Sequence, residues 1–250
     1  MNPDISLIVP CLNEEQNIPL LIEKIQEVIQ YYNLSAEIII VDDLSDDYTF
    51  KEALIAESKY SNVMAIHKGL PRGIGNAIKF GVKHAKGKMG IILMGDLVDP
   101  LHAIPDFYEK IVNEGYDLAL LSRYIDSTDS ETIPLLYKFY QWCYRFLCKF
   151  FLGMKMKDIT YAYRAFNIEH FKKMKIESHG FEISPELTIK SFLHKSRIIE
   201  IRGRQGRRIS GESKFVFSRA GWGYARVLLK GIFFKYFKKW PRIRKKHRLT

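Results

Sequence analysis

Cysteine is scarce. Cys11, Cys143 and Cys148 are the only three in 250 residues, and they form neither a Cys-x-x-Cys pair nor a zinc spacing. A disulfide framework and a structural zinc site are excluded, and the odd, sparse count suits a reducing compartment. Long apolar runs are also missing. The best candidates, residues 139–153 and 227–237, are broken by Arg145 and Lys149 and by Lys230 and Lys235. Nothing is expected to span a bilayer, although either segment suits its surface. The N-terminus has no charged leader and no long apolar core, so no signal peptide is expected. No G-x-G-x-x-G follows the first strand candidate and no G-x-x-x-x-G-K-[ST] occurs anywhere, which argues against a Rossmann dinucleotide site and a P-loop. Acidic residues stop at Glu212. The last 38 residues hold 12 of the 39 Lys and Arg, leaving 27 against 28 Asp and Glu in the rest. The net charge of +11 therefore describes a near-neutral body with a basic tail, and only the tail calls for a polyanionic partner. That tail also carries nine aromatics, which favours an anionic membrane surface over nucleic acid, for which no motif is present.

What is present is an alternation. Short apolar, β-branched runs at residues 5–9, 37–41, 63–66, 89–93 and 117–121 alternate with segments of helical spacing. Ile18, Leu21, Ile22, Ile25 and Val28 recur with the helical period, opened by Asn13 or the acidic pair after it. Residues 47–60 and 104–113 read as further helices. Ile74, Ile78, Val82 and Ala85 line another, which Gly87 is placed to cap. Strand–helix alternation with short loops predicts an α/β domain with a mainly parallel central sheet covered on both faces, over the first 125 residues. Residues 126–214 read differently: an aromatic–cationic stretch at 135–152, strand candidates at 162–167 and 196–203, and a helix at 184–193. Residues 215–250 form the basic aromatic tail, expected as amphipathic helices at a membrane surface.

Ligands of open α/β sheets bind beyond the carboxyl ends of the strands. Three polar clusters fall there: Asn13-Glu14-Glu15, Asp42-Asp43, and Asp96 with Asp99. Carboxylates in such places suit sugar or ribose hydroxyls, base N–H groups or a hard divalent cation. The plain alternative is solvated loop acids and helix caps, with Asp99 before Pro100 an example. Three clusters at successive strand ends favour the ligand reading. Arg72-Gly73-Ile74-Gly75 suits either a tight strand-to-helix turn or a cationic loop beside a diphosphate. His84, His102 and His179 sit in no motif that argues for a general base.

In order and at matching spacing, seven segments resemble family 2 glycosyltransferases. Pro10-Cys11-Leu12-Asn13-Glu14 resembles P-x-Y-N-E, and the run Val41-Asp42-Asp43-Leu44-Ser45-Asp46-Asp47-Tyr48-Thr49 resembles V-D-D-x-S-x-D-x-T. Arg72-Gly73-Ile74-Gly75-Asn76-Ala77 resembles R-G-x-G-x-A, and Ser122-Arg123-Tyr124 resembles G-S-R-Y. The segment from Asp158 to Arg164 resembles D-x-T-S-G-[FY]-R, Gly180-Phe181-Glu182 with Glu186-Leu187 resembles G-[FY]-E-x-x-x-E-L, and Arg208 to Lys214 resembles R-x-x-G-E-S-K. The last four point to the dolichyl-phosphate mannose synthase-like branch, which includes polyprenyl-phosphate sugar synthases.

The resemblance implies a GT-A-like fold over residues 1–214, with a nucleotide-sugar half (1–125) and an acceptor half (126–214). It implies an inverting transfer of sugar from a nucleotide-sugar donor to a polyprenyl phosphate, at the cytoplasmic face of a membrane. By the same resemblance Pro10, Asn13, Glu14, Asp42, Asp43, Arg72, Gly73 and Asp96 border the donor. Asp96 binds a divalent cation, Mg²⁺ or Mn²⁺, and acts in catalysis with Arg123. Arg123, Arg208, Ser213 and Lys214 hold the acceptor phosphate. The chain departs from the family at the metal turn, where Met94-Gly95-Asp96-Leu97 stands in place of Asp-Ala-Asp-Leu. It departs again at Leu12, where the family has Tyr, and at Tyr161-Ala162, where it has Ser-Gly. Two other readings compete: a hydroxyl acceptor such as a glycan, and a catalytically impaired protein that binds nucleotide-sugar or lipid phosphate.

Overall fold

The computed structural model describes residues 2–206 and 217–238. Seven strands form one sheet in the order β3-β2-β1-β4-β6-β5-β7. The strands are β1 (Ile5–Cys11), β2 (Ala36–Asp42), β3 (Val63–His67), β4 (Met89–Ile92), β5 (Leu118–Ser122), β6 (Arg164–Asn167) and β7 (Ile198–Arg202). β1 pairs in parallel with β2 and β4, β2 with β3, and β5 with β7. β6 runs antiparallel to both its neighbours, so the mainly parallel sheet contains one reversed strand. Period and composition do not encode strand direction. It is decided here by the long connection from β5 to β6.

The strands read as near-continuous apolar runs because both faces are covered. In β1, Ile5, Leu7 and Val9 face the core built on α1 (Ile18–Tyr31), where Ile18, Leu21, Ile22 and Ile25 are all buried. Ile8, between them, faces the opposite core with Ile78 and Val82 of α3 (Ile74–His84). Alternation on the strand and i, i+3, i+4, i+7 spacing on the helices produce this division. Each buried Ile or Leu side chain contributes about 1.5–3 kcal/mol relative to exposure. α2 (Thr49–Lys59) and α4 (Ile104–Tyr108) add to the first layer, and α6 (Ile168–Met174) and α7 (Ile183–Leu193) to the second.

Three local expectations are corrected. α1 begins at Ile18, with Asn17 as its cap residue, because Asn13 takes a left-handed conformation (φ 54°) and serves the loop. The helix expected over 104–113 is α4 followed by a π-helical turn, Glu109–Asn113. Gly87 does not cap α3, which ends at His84. It lets the chain pass β1, since a Cβ there would lie 2.7 Å from Ser6 Oγ and 2.9 Å from the Ile5 carbonyl carbon.

The aromatic–cationic stretch forms α5 (Leu135–Leu147) and a following π-helical turn to Leu152. The first part of the tail is α8 (Phe217–Phe237). α8 is docked on the body. Val227 and Leu228 are buried with Ile189 and Leu152, buried Lys230 pairs with Glu177, and a Cβ on Gly231 would sit 2.7 Å from Ile189. Removing the segment from residue 215 onward would thus uncover core.

Candidate active site at the carboxyl edge of the sheet

The loops after β1, β2, β3 and β4 meet at one edge. After β1, the Asn13 N–H donates to Ser45 Oγ (2.9 Å) and Asn13 Oδ1 accepts from the Asp46 N–H (2.9 Å). The Glu14 N–H donates to Thr49 Oγ1 (2.7 Å), and Glu14 Oε2 accepts from the Asn17 amide (2.6 Å). Asn tolerates the left-handed conformation, and here that conformation laces the first loop onto the second.

The acid pair after β2 is buried, and each carboxylate has a side-chain partner from the end of β3. Asp42 accepts from His67 Nδ1 (2.8 Å) and from the Ser45 N–H (3.2 Å). Asp43 pairs with Lys68 Nζ (2.6 Å) and accepts from the Gly73 N–H (2.6 Å). Lys68 is buried and also donates to the carbonyls of Gly69 (2.9 Å) and Pro71 (2.7 Å). Sequence reasoning missed Lys68. The signal was available in the register: β2 and β3 pair Asp42 with His67, which brings the next residues, Asp43 and Lys68, together.

Asp43 thereby organises the Arg72-Gly73 loop. Arg72 donates to the Leu44 carbonyl (2.5 Å) and to Asp46 (3.1 Å). Gly73 has φ 135°, and a Cβ there would run into the His179 carbonyl oxygen. The position therefore needs glycine both for conformation and for space. The Gly75 N–H donates to that same carbonyl (2.8 Å), which joins this loop to the Gly180-Phe181-Glu182 segment ahead of α7.

The turn after β4 is different. Gly95 lies over the end of β1, where an added Cβ would be 3.3 Å from Cys11 Sγ and 3.4 Å from Glu14 Cγ. Asp96 and Asp99 are both buried. Asp99 accepts from the Met94 N–H (2.7 Å) and the Tyr161 hydroxyl (2.7 Å). It is not a helix cap; it spans its own turn. Burial, and then the Asp96 charge, push the Asp99 carboxyl up to about 7. Burial also pushes the Cys11 thiol well up, reinforced by Glu14, Asp42, Asp96 and Asp47.

The buried carboxylate oxygens of Glu14, Asp96 and Asp99 at this edge are the donor type that suits a hard divalent cation. Among the described residues no group of three or more His, Cys, Asp or Glu is gathered around one point. Asp99 is engaged in holding the turn, and the Met94 thioether is too soft for Mg²⁺ or Mn²⁺. The chain offers Asp96, and such a cation would complete its shell with diphosphate oxygens and water.

At the end of β5, Arg123 is buried. Its Nε and Nη2 donate to Asp158 (2.7 and 3.2 Å), and its Nη1 donates to Gln205 (2.8 Å). Asp158 is held in turn: its own backbone N–H and that of Lys157 donate to Glu200 of β7 (each 2.8 Å). Arg208, Ser213 and Lys214 lie outside the described residues. The structure therefore brings together Pro10, Asn13, Glu14, Asp42, Asp43, Arg72, Gly73 and Asp96 around the strand ends, with Arg123 on the β5 side.

Comparison with solved structures defines the class. The fold matches glucosyl-3-phosphoglycerate synthase from Mycobacterium tuberculosis, with a TM-score of 0.65 at 17% identity, covering 93% of this chain and 80% of that one. A second crystal structure of that enzyme, with Mn²⁺, UDP-glucose and phosphoglyceric acid, matches at 0.64 and 18%, covering 93% and 79%. The architecture is the GT-A fold. Residues 6–175 match Glycosyl transferase family 2, and the chain belongs to that family, as its motifs imply. Dolichol-phosphate mannosyltransferase of Pyrococcus furiosus is 31% identical over 212 residues, 84% of this chain and 58% of that protein. A prophage bactoprenol glucosyl transferase homolog of Escherichia coli is 30% identical over 91% of this chain and 71% of its own length. Dodecaprenyl-phosphate galacturonate synthase of Rhizobium johnstonii is 26% identical over 95% and 69%. The chain thus spans little more than half of the Pyrococcus relative.

Proposed function

We propose that this chain transfers a sugar, with inversion, from a nucleotide-sugar donor to a polyprenyl phosphate at a membrane surface. The printed names of the relatives support the acceptor class. The observation in the molecule that carries the reading is what stands next to Arg123. The inner side of α5 touches the adjoining Tyr124: Gln141 bonds its hydroxyl and the Arg145 guanidinium lies 4.1 Å from its ring centre. The outer side carries a stacked series of exposed rings, Phe139, Trp142, Phe146 and Phe150. An arginine suited to phosphate and an aromatic face suited to lipid are thus one helix apart. No described helix is long and apolar enough to cross a membrane.

In this reading the donor diphosphate lies across the strand ends, with Asp96 holding the cation. A divalent cation held there by Asp96 would supply the positive charge that a leaving nucleoside diphosphate needs. An acceptor phosphate oxygen forms the new bond to the anomeric carbon as the bond to the diphosphate breaks. The acceptor is already anionic, so no general base is required. Asp158 keeps one edge of Arg123, while Nη1, which among the described residues donates to the neutral Gln205 amide, is the edge a phosphate oxygen can take. Arg208, Ser213 and Lys214 complete this acceptor site.

The test is incubation with labelled nucleotide sugars, Mn²⁺ and undecaprenyl or dolichyl phosphate, followed by organic extraction. Label in the lipid phase is expected. Label that enters only a glycan overturns the lipid acceptor and favours a hydroxyl one. No transfer from any donor despite nucleotide binding points to a binding protein. Replacing Phe139, Trp142 and Phe146 together by Ser should release the protein from anionic liposomes at high salt without changing nucleotide affinity.

A further inference from the structure

The turn after β4 and the arginine after β5 come from opposite halves of the site, yet one side chain touches both. Tyr161 is buried. Its hydroxyl donates to Asp99 Oδ1 at 2.7 Å, while Asp99 Oδ2 accepts the Met94 N–H at 2.7 Å. The hydroxyl therefore completes the bonding that closes residues 94–99 around Asp96. The face of the same ring lies under the Arg123 guanidinium, 4.1 Å from its centroid to Cζ, on the side not taken by the in-plane bonds to Asp158 and Gln205. The backbone of Tyr161 is anchored independently. Its N–H donates to Asp158 Oδ1 (3.3 Å), and its carbonyl accepts from fully buried Arg164, which also donates to the Ser184 carbonyl (2.7 Å) and Thr188 (2.8 Å) of α7. The ring is thus delivered to a preset place by the residues on either side of it. Position 161 is also where this chain departs from the Ser of its family motif.

We propose that Tyr161 is a positioning residue joining the two sides of the site, its hydroxyl holding the metal turn through Asp99 and its ring holding the guanidinium of Arg123. A serine can supply neither link at this reach, so the link accompanies the altered turn Met94-Gly95-Asp96, where one carboxylate remains to be placed. This inference rests on the transfer reading for its kinetic consequences but not for its geometry.

Three variants separate the links. Tyr161→Phe keeps the ring and removes the hydroxyl, Tyr161→Leu removes both, and Asp99→Ala removes the acceptor of the Met94 N–H. The probes are Mn²⁺ with a panel of nucleoside diphosphates, undecaprenyl phosphate as acceptor, and amide hydrogen exchange. Tyr161→Phe and Asp99→Ala should each raise the Mn²⁺ concentration for half-maximal nucleotide binding about three- to tenfold and speed exchange at residues 94–99. Both should leave the acceptor KM within twofold. Tyr161→Leu should do the same and also raise the acceptor KM about tenfold. A purely structural role would lower thermal stability in all three without this split. The proposal is overturned if Tyr161→Phe and Tyr161→Leu shift donor and acceptor constants alike, or if exchange at 94–99 is unchanged in Tyr161→Phe. Should the wild type make no lipid product, the transfer reading fails alone. The exchange data still decide the link, faster exchange in both Tyr161→Phe and Asp99→Ala upholding it.

Discussion

The ends of β2 and β4 each present two buried aspartates, and the protein treats them in opposite ways. Asp42 and Asp43 meet His67 and Lys68 at 2.8 and 2.6 Å, so the Asp43 charge is compensated within the fold and Asp42 is held by a ring nitrogen. Asp99 instead uses its two oxygens to accept the Met94 N–H and the Tyr161 hydroxyl, and burial first, the Asp96 charge second, raise its carboxyl to about 7. Identical residue types thus do different work. The first pair is an organiser, fastening the Arg72-Gly73 loop and a buried lysine. The second is a turn fastened through the two oxygens of Asp99, where burial favours the protonated carboxyl.

The largest expected effect tests the organiser. Lys68→Ala leaves Asp43 buried and unpaired and should cost about 3–5 kcal/mol of unfolding free energy, read from urea denaturation. The double variant Asp43→Asn with Lys68→Met should recover much of that loss, because no lone charge remains. If Lys68→Ala costs under about 1 kcal/mol, the two ends are not distinguished by internal compensation.

At the other end, Asp96→Asn should lower transfer at saturating Mn²⁺ about 10²–10³-fold, the scale for losing one preorganised charge-stabilising group. Nucleotide binding without metal should stay within a fewfold of wild type. An unaltered Mn²⁺ dependence would place the cation elsewhere and dissolve the contrast.

The pH dependence of stability sharpens it further. Asp99 moves from the ordinary 3.8 to about 7, through burial first and Asp96 second. Between those values the native state binds more protons than the unfolded chain, so stability should fall as pH rises through that window. Asp99→Asn should flatten the slope of the urea midpoint against pH from 4 to 7, and saturating Mn²⁺ should reduce it in the wild type. A slope that Asp99→Asn leaves intact would assign it to other groups.

The smallest expected effect comes from adding charge. Met94→Asp restores the first acid of the family turn and should tighten Mn²⁺-dependent nucleotide binding, seen by calorimetry. Without metal it should lower stability by about 1 kcal/mol through like-charge repulsion. A variant that is as stable as wild type without metal and no tighter with it would mean that residue 94 does not face the cation.

Much of this site was legible before any coordinates. The acids after β1, β2 and β4 and the Arg72-Gly73 loop follow apolar runs that can only be buried strands, and a parallel sheet gathers such loops at one edge. The bonds among them were less legible. Asp43 could be read as a free carboxylate until Lys68 was placed beside it, and Arg123 as an open phosphate clamp until Asp158 took one of its edges. Asp99 was readable as a helix cap until Tyr161 and Met94 N–H claimed its two oxygens.

The order of strands and helices over the first 125 residues, the two covered faces and the family were determined by the sequence alone. They depend on local period, on turn residues and on motif spacing, all of which are written along the chain. Tertiary structure decided the reversal of β6, the docking of α8 through Val227, Leu228 and Lys230, and the separate fates of the two acid pairs. Each of these depends on contacts between residues tens of positions apart, as Arg123 is from Asp158 and Asp99 from Tyr161. Whether a buried charge is compensated depends on what the fold brings to within about 3 Å of it, and no local pattern states that distance.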